Sequence, residues 1–421
     1  MSLAGLNPAP RYVLALTVVA ACAGPDQLPL GPEPTRLTVI TSENVGTTRV
    51  LAAAFHAKHL DVEIDVQYTP QDSYDAGLDR KLGSADAPDL ALLNRIGTSP
   101  RLLRPLDDYA KQYGWDAVCP SSELDQWRTD SSGKQLGVGP LWAAPAGFSM
   151  TGVYYNKQIA ARLGIRPPTT RAEFDAALAK AKSAGELPVQ LGNLQGHSSF
   201  IVQSIVNAVD GPARASDWVN GKKGATLHTP GGIAAATALS DWAKKGYLPA
   251  DANSRDLPAA VADFGSGKGL FLFGGSWDAQ PIDKGLHGKV GFLPFRGDDG
   301  KATGIGTSVA YAIPVRSRHP DAAAAFLDYL NSPEAAQIEF NAGFLPVAHA
   351  DRVTTDPGNV MADIARAWTE VNKDNGLVNF FNNTTATMND TLTTRTQQLI
   401  AGETTPAALL DALRADWQQT H

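Results

Sequence analysis

The sequence predicts an α/β fold, with helices on both faces of parallel sheets, organised in more than one domain-sized unit. Three observations carry this. Short apolar or alternating runs are separated by longer stretches of helical spacing, the pattern of strand–helix–strand units. The chain has 421 residues, enough for two or three such units or one two-lobed body. Apolar content of 43% with charged content of 19% describes an ordinary globular protein, neither disordered nor fibrous.

The first unit starts at residues 36–40, a strand closed by the polar turn Thr41-Ser42-Glu43-Asn44. Residues 47–59 carry Val50, Leu51, Ala54 and Phe55 at helical spacing, residues 62–66 alternate as a strand, and residues 73–82 fit a second helix. Leu90-Ala91-Leu92-Leu93 is a buried strand ending at Asn94. In such sheets ligands sit beyond the carboxyl ends of strands, where strand order reverses. Glu43, Asn44 and Asn94 stand at those ends, either as ligand contacts or as turn formers and caps.

A second alternating unit begins with a strand at residues 152–156 and a helix to Leu163. Thr170-Arg171-Ala172-Glu173 is a capping box that starts a helix to Ala184. A strand at 189–191 leads through a polar loop to the apolar helix 200–209, and the helix 233–245 stops at Gly246. Residues 270–273 and 290–293 are buried strands. Ser332-Pro333 and Thr405-Pro406 each place a capping hydroxyl before a proline at the first helical position.

At the amino end, Arg11 precedes an apolar run over residues 12–21, broken by Thr17 alone, and then Val19-Ala20-Ala21-Cys22. This is the layout of a secretory signal over residues 1–21, shorter than the ~20 apolar residues that span a bilayer. Pro25, Pro29, Pro32 and Pro34 make residues 22–35 an extended tether. With Cys22 so used, Cys119 is left alone and no intrachain disulfide is available. A formal charge of -7 argues against nucleic acid, whose phosphates need a basic face. Asp263-Phe264-Gly265 lacks the loops of a kinase, and Gly267-Lys268 lacks the first glycine and the hydroxyl residue of a phosphate loop. His56 and His59 have no third metal ligand in view.

A cysteine directly after two alanines resembles the bacterial lipoprotein box. That resemblance implies cleavage before Cys22 and acylation of its thiol, palmitate included, giving the stable anchoring that more than one acyl chain provides.

Four further stretches are informative in their order. They are Gly152-Val153-Tyr154-Tyr155-Asn156-Lys157, followed by Leu163-Gly164-Ile165 and Pro167-Pro168; and Phe264-Gly265-Ser266-Gly267-Lys268-Gly269 running on to Phe273-Gly274-Gly275-Ser276-Trp277. Then come Val290-Gly291-Phe292-Leu293-Pro294-Phe295 with Val309-Ala310-Tyr311-Ala312-Ile313-Pro314; and His319-Pro320-Asp321-Ala322-Ala323 with Ser332-Pro333-Glu334 and Gly343-Phe344-Leu345-Pro346-Val347. Together they resemble the maltose-binding-protein-like solute receptors of carbohydrate ABC importers, over nearly the whole chain after the tether.

The resemblance implies two doubly wound lobes of the type II periplasmic-binding-protein kind, joined by crossing hinge strands. Lobe 1 would hold residues 36–150 and 309–349, and lobe 2 residues 151–308 and 350–421. It implies a lipid-anchored, extracytoplasmic monomer on the outer face of the cytoplasmic membrane. This receptor would bind a mono- or oligosaccharide between closing lobes and deliver it to the permease subunits of an ABC transporter, with no catalysis, cofactor or metal. Trp277 resembles the family's stacking aromatic; Asp278 either accepts sugar hydroxyls or caps the following helix. The loop 190–198 offers Asn193, Gln195 and His197, and the glycine-spaced segment 304–308 offers Thr307. Where some members carry a carboxylate and an indole, this chain reads Phe380-Phe381-Asn382-Asn383, so Phe380 or Phe381 supplies the apolar face and Asn382 an amide. Two alternatives stay open. The same fold could take a polar solute such as a glycerophosphodiester or peptide, with Arg95 for an anion. A secreted glycosidase would need two facing carboxylates, which Glu43 and Asp278 could supply.

Overall fold

Strand β1 (Thr35–Thr41) is the axis of the first lobe, and it buries Leu37, Val39 and Ile40. The computed structural model describes residues 34–421 apart from 43–44, 94–99, 132, 134 and 357. Helix α1 (Val45–His56), strand β2 (Val62–Tyr68), helix α2 (Gln71–Leu82) and strand β3 (Leu90–Leu93) follow in the expected alternation. β1 pairs in parallel with β2 on one side and with β3 on the other, so strand order reverses at β1. The carboxyl ends of β1 and β3 are therefore neighbours. The expected tether to residue 35 runs one residue into β1.

After α3 (Asp107–Tyr113) and α4 (Ser121–Leu124), strands β4 (Arg128–Thr129) and β5 (Leu136–Leu141) form a small antiparallel ribbon. β6 (Ala144–Asn156) then runs for 13 residues. Only its end is legible in the sequence, because Ala144-Pro145-Ala146-Gly147 has no alternation to recognise. The second lobe is built from α5 (Lys157–Leu163), α6 (Arg171–Ser183), β7 (Val189–Gln190), α7 (Ser198–Asp210), α8 (Pro212–Val219), α9 (Pro230–Lys244), α10 (Leu257–Gly265), β8 (Phe271–Gly275), α11 (Ala279–Leu286), β9 (Val290–Leu293) and β10 (Phe295–Arg296). β11 (Ala302–Ala312) returns to the first lobe, which α12 (Pro320–Leu330) and α13 (Pro333–Asn341) complete. α14 (Val360–Lys373), β12 (Leu377–Val378), α15 (Met388–Ala401) and α16 (Pro406–Thr420) close the chain on the second lobe.

One sheet threads both lobes in the order β2-β1-β3-β11-β6-β8-β7. Its joint is the antiparallel pair β6–β11, in register from Tyr311↔Ala144 in the first lobe to Ile305↔Thr151 in the second, with an irregularity between Ser308 and Ala310. One apolar core fills the first lobe around Leu37, Leu92 and Phe326 and continues past the joint through Trp368 and Val371 of α14 to Phe292. The other core, around Phe174, Trp218, Phe271 and Val378, fills the opposite face of the second lobe. The caps act as the sequence indicates: Ser332 and Thr405 accept the N–H groups of Ala335 and Ala408. In the capping box the Glu173 carboxylate reaches back one residue further than expected, to the N–H and hydroxyl of Thr169 at 2.8 Å.

Polar groups of the segment after α4 grip the joint. Gln126 Nε2 donates to Gly306 O at 3.3 Å, and Trp127 Nε1 donates to Ser308 Oγ at 2.7 Å. Glu123 is fully buried beside them, both carboxyl oxygens outside hydrogen-bond geometry. Burial pushes its pKa up to about 7, and the nearby Ser308 hydroxyl and N–H offset this only in part. The folded state thus binds this proton more tightly than the unfolded chain. Its stabilising contribution is complete below the ordinary glutamate pKa and is lost as pH rises through about 7. Glu123→Gln, which cannot ionise, should gain stability relative to the native protein over that window, by about 3 kcal/mol at ~1.4 kcal/mol per pKa unit. Urea denaturation of both proteins from pH 4 to pH 8 checks this, and parallel curves would refute it.

Candidate functional site

The carboxyl end of β8 presents the most exposed large aromatic ring in the second lobe. Phe271, Leu272 and Phe273 are buried, and Gly274-Gly275 lead into a single 3-10 turn, Ser276–Asp278, before α11. A Cβ on Gly275 would lie 2.3 Å from ring carbons of Trp277, so the indole rests against bare backbone. The ring remains 42% exposed. Its support is tied down: Tyr154 OH donates to Gly275 O at 2.7 Å, and Met150 N–H donates to Ser276 Oγ at 3.3 Å. Asp278 folds back to accept Gly275 N–H at 3.3 Å and is 8% exposed. Burial raises its pKa to about 6. Asp278 does not cap the following helix α11 as expected: its carboxylate makes no hydrogen bond to that helix's first N–H groups and closes the preceding 3-10 turn instead.

Phe200 connects Trp277 to two further rings. Phe200, in the first turn of α7, lies 6.4 Å from Trp277, 6.0 Å from Phe380 and 5.5 Å from His197, centroid to centroid. His197 is half-buried, its Nδ1 has no hydrogen-bond partner among the described residues, and burial lowers its pKa, which favours the neutral ring. Gln203 holds the Phe380 segment on α7, its Nε2 donating to Asn379 O at 2.7 Å and its Oε1 accepting Phe381 N–H at 2.9 Å. In the sequence Phe200 shows itself only as the first apolar residue of a helix. Its place at the end of the polar loop 192–198 was the available signal.

The other expected contacts separate into two groups. Gln195 is exposed, and Asn382 is half-buried and donates to Asn389 Oδ1 at 3.4 Å. Thr307 is half-buried on β11 opposite Ser149, at the joint between the lobes. Two residues turn inward instead. Asn193 is fully buried, its side chain accepting Ser198 N–H at 2.9 Å and donating to Asn253 Oδ1 at 2.8 Å, so both ends of its amide hold the loop's shape. Phe381 is 1% exposed and packs on Trp218 at 4.9 Å; Phe380, not Phe381, is the ring near Trp277's neighbours. The chain direction entering the turn at 381–383 aims one ring at the core and leaves its predecessor half-buried. Glu43, Asn44, Asn94, Arg95 and Cys22 lie outside the described residues.

Aromatic faces beside neutral amides and hydroxyls can receive a solute with an apolar face and a hydroxyl-rich edge. Among the described residues no group of three or more His, Cys, Asp or Glu is arranged to hold a metal ion. Among the same residues no helix is long and apolar enough to cross a membrane.

Comparison with known proteins adds to this geometry. The family model described as bacterial extracellular solute-binding protein matches residues 41–337. The multiple sugar-binding protein of Streptococcus mutans is 26% identical over 224 residues, covering 49% of this chain and 51% of the relative. The chain thus spans about half the length of that curated relative. The solute receptor AcbH, described as having an exclusive preference for β-D-galactopyranose, superposes with a TM-score of 0.75 at 17% identity, covering 91% of this chain and 99% of the receptor. A family 1 extracellular solute-binding protein from Bifidobacterium longum subsp. infantis gives 0.73 at 20% identity, covering 92% and 100%. At these identities the superpositions establish the fold, an α/β architecture of the periplasmic solute-receptor type.

The exposure of Trp277 and the burial of Phe381 separate two classes of effect. Trp277→Ala should leave the melting temperature of the unliganded protein nearly unchanged, within about 0.5 kcal/mol of stability. Phe381→Ala should cost about 3–5 kcal/mol. Thermal and urea unfolding of the two variants measure this directly, and comparable losses would place Trp277 in the core.

Proposed function

From the premise that this chain belongs to the bacterial extracellular solute-binding protein family, we propose that it is an extracytoplasmic receptor for a carbohydrate. It takes the sugar between its two lobes and passes it to an ABC permease. The observation that carries this reading is the aromatic group on the second lobe: Trp277 rests on Gly275 with an open face, Phe200 lies beside it, and His197 and Phe380 pack on Phe200. The rim of pyranose C–H bonds suits such a face, and hydroxyls find partners in neutral groups such as Gln195, Asn382 and Thr307. The sugar-binding name of the Streptococcus mutans relative points the same way.

The family consists of binding proteins rather than enzymes, and the fold supplies a reason for the same conclusion here. Of the two carboxylates that hydrolysis would need, Asp278 is buried and committed to Gly275 N–H. The moving bodies in this reading are residues 36–150 with 309–349, and 151–308 with 350–421, turning about β6, β11 and the segment near 350. Micromolar affinity needs about -8 kcal/mol, within reach of one stacked ring and several hydrogen bonds across the cleft. Closure then follows from contacts made on both lobes in the closed form alone. A monomer held by lipid on Cys22, on the outer face of the membrane, is the working form that suits this role.

Thermal-shift measurements on residues 34–421 against D-galactose, N,N′-diacetylchitobiose, xylobiose and maltose test the ligand class. A true ligand at a hundredfold excess over its Kd adds about 2.7 kcal/mol and should raise Tm by roughly 4 °C. The same sugar should make the particle more compact in X-ray scattering. A protein that responds to none of the sugars is not this receptor.

For the anchor, Cys22→Ala in the full chain should release the protein from the membrane into the medium with sugar affinity unchanged. Retention of the variant in washed membranes would overturn the anchor while leaving the receptor reading intact.

A further inference from the structure

A small recess lies in the first lobe where the amino end of α1, strands β6 and β11, and helix α13 meet. Thr47, Leu51, Gly147, Val309, Glu339 and Phe344 are among its lining residues, and its volume is about 20 Å³, room for one hydroxyl-sized group. Thr47, Val309 and Phe344 are half-buried, whereas Glu339 is 3% exposed. Val309 and Thr307, two residues apart on β11, are both half-buried while Ser308 between them is buried. Through Val309 the recess therefore adjoins, on the first-lobe side, the joint on which Thr307 stands.

Glu339 is an unusual group to find there. Its Oε2 is buried without a hydrogen-bond partner among the described residues. Room for the carboxyl is made by Gly147, which has φ +62° at the irregularity of β6; a Cβ there would crowd the carboxyl carbon and oxygens at 3.3–3.5 Å. Burial pushes the acid's pKa well above the usual range, and no cation among the described residues pulls it back. Burial in that position favours the protonated carboxyl, which has an O–H to give. An unmet donor or acceptor buried in this way costs free energy until a partner arrives.

We propose that this recess is a ligand subsite in which uncharged Glu339 donates a hydrogen bond to one hydroxyl of the bound sugar, anchoring it to the first lobe. The inference rests on the receptor reading above and adds the contact on the lobe opposite Trp277. It also sets a specificity: a sugar lacking that one hydroxyl leaves Glu339 unpaired and binds more weakly.

Calorimetry with D-galactose, N,N′-diacetylchitobiose, xylobiose and maltose on the native protein, Glu339→Gln and Glu339→Leu tests this, after the unliganded Tm of each has been measured. Gln keeps an N–H donor in place, and Leu removes it. For the sugar that binds, Glu339→Gln should stay within about threefold of the native Kd, and Glu339→Leu should weaken it about tenfold or more. Among the monodeoxy derivatives of that sugar, one should bind the native protein and Glu339→Leu equally weakly. Unchanged affinity in Glu339→Leu overturns the subsite and leaves the receptor standing; no binding of any sugar by the native protein overturns both. Should Glu339→Leu not fold, a crystal structure of the native complex decides: a sugar oxygen within about 3.2 Å of the Glu339 carboxyl supports the subsite, and none there overturns it.

Discussion

The antiparallel pairing of β6 with β11 is the constraint on which the rest of this molecule depends. Two strands cross from one lobe to the other as an antiparallel pair on both sides of the irregularity between Ser308 and Ala310, so most of their backbone N–H and C=O groups find partners within the joint. That solves the problem of joining two folded bodies by buried chain. It also means that the lobes share one sheet, and a rotation between them must be absorbed within a few residues near Ser149 and Thr307. The segment after α4 grips one side of this joint through Gln126 and Trp127, and α14 packs the same strands with Trp368 edge-on to Phe148 at 4.2 Å. Glu123 sits in this grip without hydrogen bonds of good geometry, a local cost that surrounding packing outweighs.

The candidate site inherits its rigidity from the joint. Trp277 is exposed, yet the two residues before it are tied to β6, Gly275 by Tyr154 OH and Ser276 by Met150 N–H. An aromatic face held in advance loses little conformational entropy when a ligand arrives, which is how a modest contact area can yield useful affinity. Glycine at 275 lets the indole lie against the chain, since any side chain there would displace the ring. The neutral character of the surface follows from burial: His197 is held toward its uncharged form, and the Asp278 carboxyl points inward.

Much of the fold was legible in the sequence, and the reasons are local. Leu90-Ala91-Leu92-Leu93 can be little else than a buried strand, and the hydroxyl–proline pairs at Ser332 and Thr405 start helices because cap and proline act within one turn. Less of the site was legible. Phe380 and Phe381 are neighbours of equal hydrophobicity, and only the turn at 381–383 decides which meets Trp218. Asn193 has the chemistry of a ligand contact, but Ser198 and Asn253 use its amide, and Asn253 is distant in sequence. The first half of β6 carries no pattern because both its faces are covered.

The sequence by itself therefore determined the α/β alternation, the helix starts and the small-residue approach to Trp277, since periodicity and capping are properties of a few consecutive residues. The tertiary structure alone decided that one sheet threads both lobes, that Phe200 joins Trp277 and Phe380, and that Glu339 faces Gly147 inside the first lobe. Each of these brings together residues far apart in the chain. No local propensity encodes such meetings; they follow from which apolar faces the whole chain can bury at once.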